Sequence, residues 1–142
     1  MTRTETRELA FELLYSLEIQ KIDQKEYNEQ IGLFLTEQNI TQEKAKTYMM
    51  ETVKGIAQNE SNILELISQN LKEKWSIERI SKINITLLKL AIYEIVYAKL
   101  PYKVVVNEAV EIAKKYGDDN SPAFINGVLA NVIKQIGITD EE

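Results

Sequence analysis

The segment INITLLKLAIYEIVYA, Ile83 to Ala98, is apolar around nearly its whole circumference if it forms a helix. Its polar interruptions are Asn84, Thr86, Lys89 and Glu94. A helix that is apolar on all sides is normally the buried centre of a protein, because it has no face to offer to water. The segment is shorter and more charged than a membrane span, which needs about 20 mainly apolar residues. We therefore expect other helices to pack around it.

The rest of the chain also predicts helices. Only two prolines and five glycines interrupt the 142 residues, and the apolar side chains recur at helical spacing without sustained alternation of period two. The length and the 44% hydrophobic content suit one domain with a substantial core. The sequence thus predicts a single all-α domain over residues 1–142, with helices at about 4–20, 26–38, 41–58, 60–73, 77–98 (with a break allowed near Ser81), 103–116 and 122–136.

The composition excludes several classes of function. The chain has no Cys and no His, which excludes disulfides, Cys/His zinc sites, cysteine nucleophiles and histidine triads. No pair of carboxylates has a spacing suited to acid–base catalysis or to a metal, so we expect no catalytic residue, no metal and no cofactor. The charged N-terminus lacks the apolar core of a signal peptide, which predicts a cytoplasmic protein without membrane contact.

The charge balance bears on the partners of the chain. The net charge of −5 argues against indiscriminate binding of nucleic acid, but it permits a local basic patch and favours a basic protein partner. The first predicted helix offers one such patch, because Arg3, Arg7, Phe11 and Tyr15 are spaced by four and form a ridge along it. Two cations leading into two rings can hold single-stranded RNA, with charges on phosphates and rings under bases. The spacing alone also fits a solvated first turn followed by rings at the core edge.

The helix predicted at 103–116 has an apolar face and a polar edge. Its core face is predicted to contain Val106, Ala109, Val110 and Ala113, and Gly117 is a plausible C-cap. Lys103, Asn107 and Lys114 lie along one edge of the same helix. These residues fit an ordinary surface as well as an RNA contact.

The last helix, within SPAFINGVLANVI, begins with Ser121 as N-cap and Pro122 at the first helical position, and Gly137 is expected to end it in a left-handed conformation. Gly127 lies on the side opposite the apolar stripe and costs about 1 kcal/mol relative to alanine. With Ala123 and Phe124 nearby, this second face is predicted to pack closely against another element. Phe124 itself fits either a plug over a neighbouring helix or a ring that stacks on a base.

The segment PYKVVVNEAVEIAKKYGDDNSPAFINGVLANVI, residues 101–133, resembles the C-terminal signature of the bacterial transcription antitermination family NusB. The strings PYK, NEAVEIAK, YG and FINGVL occur in the order and spacing of that family. RELAFELLYSLE near the start and LLKLAIYEI in the central helix are similar to the family as well. The resemblance covers essentially the whole chain.

The resemblance implies a fold and a function. NusB-like proteins have seven helices packed as two subdomains around a long central helix, and they are not enzymes. They bind the boxA element of nascent RNA together with the ribosomal protein NusE, and the pair joins other Nus factors on RNA polymerase during ribosomal RNA transcription. The resemblance also places the second face of the last helix near the first helix, so that Phe124 and Tyr15 would share an RNA groove.

Site residues follow from the resemblance and from the patterns above. The residues expected to contact RNA are Arg3, Arg7, Tyr15, Lys103, Asn107, Asn120, Phe124 and Asn126, and those expected at the partner contact are Asn84, Lys89 and Tyr102. The family's basic N-terminal run is interrupted here by Thr4, Glu5 and Thr6. A protein-only adaptor with weak or lost RNA binding is therefore the alternative, and a homodimer is left open. The RNA-binding domain of a cytosine methyltransferase is disfavoured, since no catalytic domain follows and no cysteine is present.

Overall fold

The computed structural model describes residues 1–138, and the last four residues of the predicted domain lie outside that range. Seven α-helices form the described part of the chain, which contains no strand. They are α1 (Arg3–Gln20), α2 (Tyr27–Glu37), α3 (Glu43–Gln58), α4 (Glu60–Gln69), α5 (Lys82–Ile92), α6 (Tyr102–Tyr116) and α7 (Ser121–Ile136). Short 3₁₀ turns at Gln24–Glu26 and Ile77–Arg79 precede α2 and α5. The all-α prediction is confirmed.

The apolar side chains form two cores. The smaller core lies between α1, α2 and α3 and includes Leu13, Ile31 and Met49. The larger core gathers α4 to α7 around α5, and Phe11 of α1 belongs to it. Helix α1 therefore contributes to both subdomains from different sides. Helix α5 contacts α1, α3, α4, α6 and α7, which confirms the central position predicted from its apolar composition.

The central helix begins and ends with local features that fix its direction. The Ser81 hydroxyl accepts a hydrogen bond from the Asn84 backbone N–H at 3.1 Å and caps α5, which accounts for the break near Ser81. At its far end α5 continues into a π-helical segment, Tyr93–Tyr97, which holds Glu94 in the protein interior. π-helical insertions of this kind are rare and are frequently found at functional sites.

Two details of the helix predictions are wrong: which residues of α6 face the core, and which residue caps the start of α7. Helix α6 buries Val105, Ala109, Ile112 and Ala113, whereas the predicted core residues Val106 and Val110 are only half-buried. The N-cap of α7 is Asn120, one residue before the predicted Ser121. Asp118 caps the start of α7. Its carboxylate accepts hydrogen bonds from the backbone N–H groups of Asn120 at 2.8 Å and Ser121 at 3.1 Å. Gly137 ends α7 with φ of 77°, as predicted.

Candidate functional site

The predicted ridge of α1 is only partly exposed. Arg3 lies at the surface with its guanidinium carbon 4.8 Å from the centre of the Tyr48 ring. Arg7 and Phe11 are 3% and 1% exposed and belong to the interior. Tyr15 is half-buried and stacks on Phe11 with a centroid separation of 6.1 Å. Of the two interpretations that the spacing allowed, the rings follow the one that places them at the core edge, while Arg7 is buried rather than solvated.

Arg7 forms a buried ion pair with Glu94. Its Nε lies 2.7 Å from Glu94 Oε1 and its Nη2 donates to Glu94 Oε2 at 3.2 Å. The Tyr48 hydroxyl donates to the same Oε2 at 3.2 Å, and Glu108 Oε1 lies 3.4 Å from Arg7 Nη1. Burial of a charge is tolerated when it is paired and hydrogen-bonded in this way. The cluster joins α1, α3, the π-helical segment and α6, and it leaves Arg7 without an exposed donor for phosphate. Phosphate contact by Arg7 stays a prediction, and its burial argues against it.

The electrostatics of this cluster keep the Arg7 guanidinium charged. Burial works to lower the pKa of Arg7, but the hydrogen bond to Glu94 and its charge raise the pKa above the ordinary value. The pKa of Tyr48 is raised as well, first by burial and then by the charge of Glu94. The phenol is therefore neutral and acts as a donor at physiological pH. The cluster therefore stabilises the packing of α1, α3, the π-helical segment and α6 against one another.

Two lysines of α6 are also paired with carboxylates. Lys115 lies 2.8 Å from Glu8, and Lys114, one of the predicted edge residues of α6, lies 3.1 Å from Glu111. Lys103 and Asn107, the other two members of that edge, are exposed. Intramolecular pairing reduces the positive charge that the α1–α6 surface can offer to phosphates.

A further pair of contacting aromatic rings is formed by Trp75 and Phe124 of α7. Trp75, in the loop after α4, is 48% exposed, and its ring lies 5.9 Å from that of Phe124 at an angle of 49°. Each side of this Trp75–Phe124 pair borders a groove. The first, which we term the Gly127 groove, has a volume of about 290 Å³ and is also lined by Lys72, Gly127 and Asn131. The second, the Asn84 groove, has a volume of about 280 Å³ and is also lined by Arg79, Asn84 and Asn120.

The Gly127 groove corrects the prediction for the second face of α7. No atom of residues 1–138, apart from the chain neighbours and the helix backbone, lies within 4 Å of a Cβ built on Gly127. The glycine is exposed, and the face it shares with Ala123 and Phe124 borders the loop containing Trp75. The predicted close contact with α1 is wrong. The glycine instead keeps the groove wide.

The structure distributes the remaining predicted residues over several surfaces. Asn120 and Phe124 line the Asn84 groove, while Asn126 is exposed on α7. Asn84 was predicted at the partner contact, but it lies in the same groove as these predicted RNA contacts. Their roles stay predictions. The structure adds that Asn84, Asn120 and Phe124 line the same groove.

The three predicted partner residues do not form one patch. Lys89 is 12% exposed, lies 3.7 Å from Glu18 and 3.9 Å from Glu60, and lines a cleft between α1, α3 and α5 rather than the Asn84 groove. Tyr102 is half-buried at the first position of α6. A single partner surface at Asn84 and Lys89 would have to extend around α5.

Trp75 is the residue that sequence reasoning missed. It is the single tryptophan of the chain, within the polar stretch NLKEKWS, which the predicted helix 60–73 partly covered. Helix α4 ends at Gln69, so the stretch is a loop that brings Trp75 to Phe124. An isolated aromatic side chain among charged residues was the available signal, because such a side chain has no helical stripe to join.

Residues 1–138 contain neither a cluster of three or more acidic side chains that could hold a metal ion nor a helix able to cross a membrane. The fold and its surfaces define a class of two-subdomain helical protein with grooves lined by aromatic, amide and cationic side chains. Within this class, the model of the NusB family matches residues 4–134. The chain therefore belongs to the NusB family, which confirms the resemblance found in the sequence.

Individual relatives agree with this assignment. The chain is 43% identical over 136 residues to the transcription antitermination protein NusB of Clostridium novyi (strain NT), covering 94% of this chain and 99% of the relative. Among solved structures, T. maritima NusB is 36% identical with a TM-score of 0.85, covering 95% of this chain and 92% of that one. A crystal structure of antitermination factors NusB and NusE in complex with dsRNA matches with 26% identity and a TM-score of 0.83, covering 95% of this chain and 99% of the other.

Proposed function

We propose that this protein is a transcription antitermination factor that binds boxA-type single-stranded RNA jointly with the ribosomal protein NusE. It acts within a Nus-factor complex on RNA polymerase during ribosomal RNA transcription, in the cytoplasm and without catalysis. The observation that carries the proposal is the match over nearly the whole chain to NusB proteins, one of which is found with NusE and RNA. The whole chain, residues 1–142, acts as one domain in this proposal.

The charge distribution supports a joint mode of binding. The chain carries 22 acidic residues against 17 lysines and arginines, and several of its cations are paired with carboxylates. Such a surface neutralises few phosphates alone, so a basic partner that shares the RNA would supply much of the counterion release. Two weak sites on one RNA gain further from effective concentration. We therefore expect affinity for RNA to rise strongly when NusE is present.

The test is a titration of fluorescently labelled boxA-like single-stranded RNA, followed by anisotropy, with this protein alone, NusE alone and both together. The expected result is binding by the mixture at least tenfold tighter than by either protein, with a preference over a scrambled strand and over a duplex of the same sequence. Arg3→Ala is expected to reduce the salt dependence by about one phosphate contact. Lys25→Ala, which removes an exposed lysine from the 3₁₀ turn before α2 and changes the net charge by the same amount, is the matched control.

The alternative is a protein-only adaptor, which the pairing of Arg7, Lys114 and Lys115 with carboxylates favours. It predicts a heterodimer with NusE at micromolar concentration, measured by calorimetry, that binds boxA-like RNA no better than a scrambled strand. That result would exclude the RNA-binding proposal. Absence of the heterodimer together with absence of RNA binding would exclude both.

A further inference from the structure

The first turn of α1 is held on two sides. Arg3, the first residue of the helix, is exposed, and its guanidinium carbon lies 4.8 Å from the centre of the Tyr48 ring of α3. The next residue, Thr4, donates from its hydroxyl to Glu108 Oε1 of α6 at 2.6 Å. Chain termini are usually poorly ordered unless contacts tie them down, and helix ends fray. These two contacts therefore fix a turn that would otherwise move.

Both anchors of this turn belong to the buried cluster around Glu94. The Tyr48 hydroxyl donates to Glu94 Oε2 at 3.2 Å, and Glu108 Oε1 lies 3.4 Å from Arg7 Nη1. Arg7 in turn pairs with Glu94 at 2.7 Å, and these two side chains are 3% and 1% exposed. The contacts form a closed loop, which we term the anchor network, through Arg3, Tyr48, Glu94, Arg7, Glu108 and Thr4. Because its centre is buried and paired, the network holds its exposed members in one geometry.

The contact that holds Arg3 does not use its hydrogen-bond donors. A guanidinium over an aromatic face keeps its N–H groups available, whereas one that is paired with a carboxylate has committed some of them. Lys114 and Lys115 of α6, by contrast, lie 3.1 Å and 2.8 Å from carboxylates. Arg3 is thus a cation that is fixed in place while its charge and donors can still meet a phosphate.

We propose that Tyr48 and Glu108 are positioning residues for the RNA contact of Arg3. They hold the guanidinium in place before RNA arrives, so binding does not have to order a long and mobile side chain. Ordering such a side chain weakens affinity by about two- to tenfold. This inference rests on the proposed function and deepens it, because it gives the buried Arg7–Glu94 pair a role in RNA binding through the anchor network.

The first measurement uses the free protein and needs no RNA. Nuclear magnetic resonance of isotopically labelled protein records the shifts of the Arg3 side-chain protons, which move upfield when they lie over an aromatic ring. The expected result is an upfield shift in wild type that is kept in Tyr48→Phe and lost in Tyr48→Leu. Thr4→Val, which removes the hydroxyl that donates to Glu108, is expected to reduce the shift, and Thr4→Ser is expected to keep it.

The second measurement is a double-mutant cycle on RNA binding. BoxA-like single-stranded RNA is titrated with this protein and NusE as described above, with Tyr48→Leu placed in the wild-type and in the Arg3→Ala background. The expected result is a loss of about two- to tenfold in the first background and none in the second, because a positioning residue acts only through Arg3. The salt dependence of Tyr48→Leu is expected to match that of wild type, since the charge of the arginine remains.

The matched control is Tyr27→Leu, which removes another half-buried tyrosine ring that packs against the same smaller core. It is expected to leave RNA affinity within about twofold of wild type in both backgrounds. Tyr48→Phe is expected to do the same, because the ring under Arg3 remains although the hydroxyl that donates to Glu94 is gone. Circular dichroism at the temperature of the titration shows that each variant is folded.

The outcomes separate the inference from the proposed function. RNA binding by the wild-type mixture, with equal losses for Tyr48→Leu in the two backgrounds or no loss in either, would overturn the positioning role and leave the antitermination role standing. Tighter binding by Tyr48→Leu would mean that the ring withholds Arg3 from RNA, which also overturns it. An Arg3 signal that is insensitive to Thr4→Val would overturn the part assigned to Glu108. A mixture that binds no RNA would overturn the RNA-binding role and the positioning role together.

Discussion

Helix α1 and the loop before α5 both bring aromatic rings together with cations, yet the two regions have opposite environments. In α1, Phe11 and Arg7 are buried, and the guanidinium contacts Glu94 at 2.7 Å. In the loop, Trp75 is half-exposed and borders open grooves with Phe124. The same residue types thus stabilise the contact between subdomains in one place and form an open surface in the other.

The availability of a carboxylate explains much of this difference. Glu94 reaches Arg7 because the π-helical segment holds it in the interior, where an unpaired charge would be costly. Near Trp75, the carboxylate of Asp118 is already used by backbone N–H groups. The comparison shows that the cation beside the aromatic ring is buried where an internal carboxylate pairs with it, as in Arg7, and exposed in Arg79 near Trp75.

The largest expected effect comes from breaking the buried pair. Arg7→Ala leaves the Glu94 carboxylate buried without its cation, so we expect a loss of about 3–5 kcal/mol in the free energy of unfolding. Urea denaturation followed by circular dichroism measures this loss. Arg3→Ala, which removes an exposed arginine from the same helix, is the control and is expected to cost less than about 1 kcal/mol. Equal midpoints for the two variants would show that the pair does not join the subdomains.

A smaller effect is expected from Tyr48→Phe, which removes the hydroxyl that donates to Glu94. At neutral pH the loss is about 1 kcal/mol. Burial first, and the charge of Glu94 second, raise the pKa of Tyr48 above its unfolded value near 10. The unfolded phenol thus ionises first as pH rises, so this contribution to stability is complete below pH 10 and is lost progressively above it.

The unfolding free energy measured between pH 8 and 11 tests this expectation, and a flatter profile for Tyr48→Phe than for wild type is the expected result. Tyr116→Phe gives an internal comparison outside the Arg7 cluster, because burial and then the hydrogen bond to Glu12 raise the pKa of Tyr116 as well. Parallel profiles for wild type and Tyr48→Phe would contradict the coupling of Tyr48 to Glu94.

The smallest expected effect sharpens the description of the grooves. Gly127→Ala adds a methyl group in open space within a helix, so it is expected to raise stability by about 0.5–1 kcal/mol. Gly32→Ala is a matched control, since Gly32 also lies inside a helix with nothing near the added Cβ. Thermal unfolding measures both. Destabilisation by Gly127→Ala alone would mean that the face is packed after all.

The helices could largely be predicted from the sequence because their signals are local. The predicted break near Ser81, Gly137 as the left-handed residue after α7 and the nearly all-apolar stretch of α5 each depend on signals within a few residues. The end of α4 was predicted four residues late, since nothing local in the charged stretch before Trp75 stops a helix. The resemblance to NusB supplied the arrangement of the helices, which spacing alone could not give.

The candidate site was less predictable because its chemistry depends on contacts between distant residues. The burial of Arg7 is decided by Glu94, 87 residues further along the chain. A carboxylate inside the apolar stretch 83–98, Glu94, was the sequence signal for such a pair, but it does not identify the partner. The open space beside Gly127 likewise depends on where the loop with Trp75 lies. Periodicity identifies which residues share a helix face and says nothing about what that face meets.

The separation of 87 residues between Arg7 and Glu94 also has a consequence for synthesis on the ribosome. Chains elongate at roughly 5–20 residues per second, so α1 would wait on the order of ten seconds before its counterion is made. During that interval α1 to α3 can begin to collapse, but the side of α1 that carries Arg7 and Phe11 has no completed subdomain to join. The nascent N-terminal part is thus expected to present an unpaired arginine and an apolar ring to the exit region. Release of α5 from the ribosome would be the event that commits the chain to its final structure.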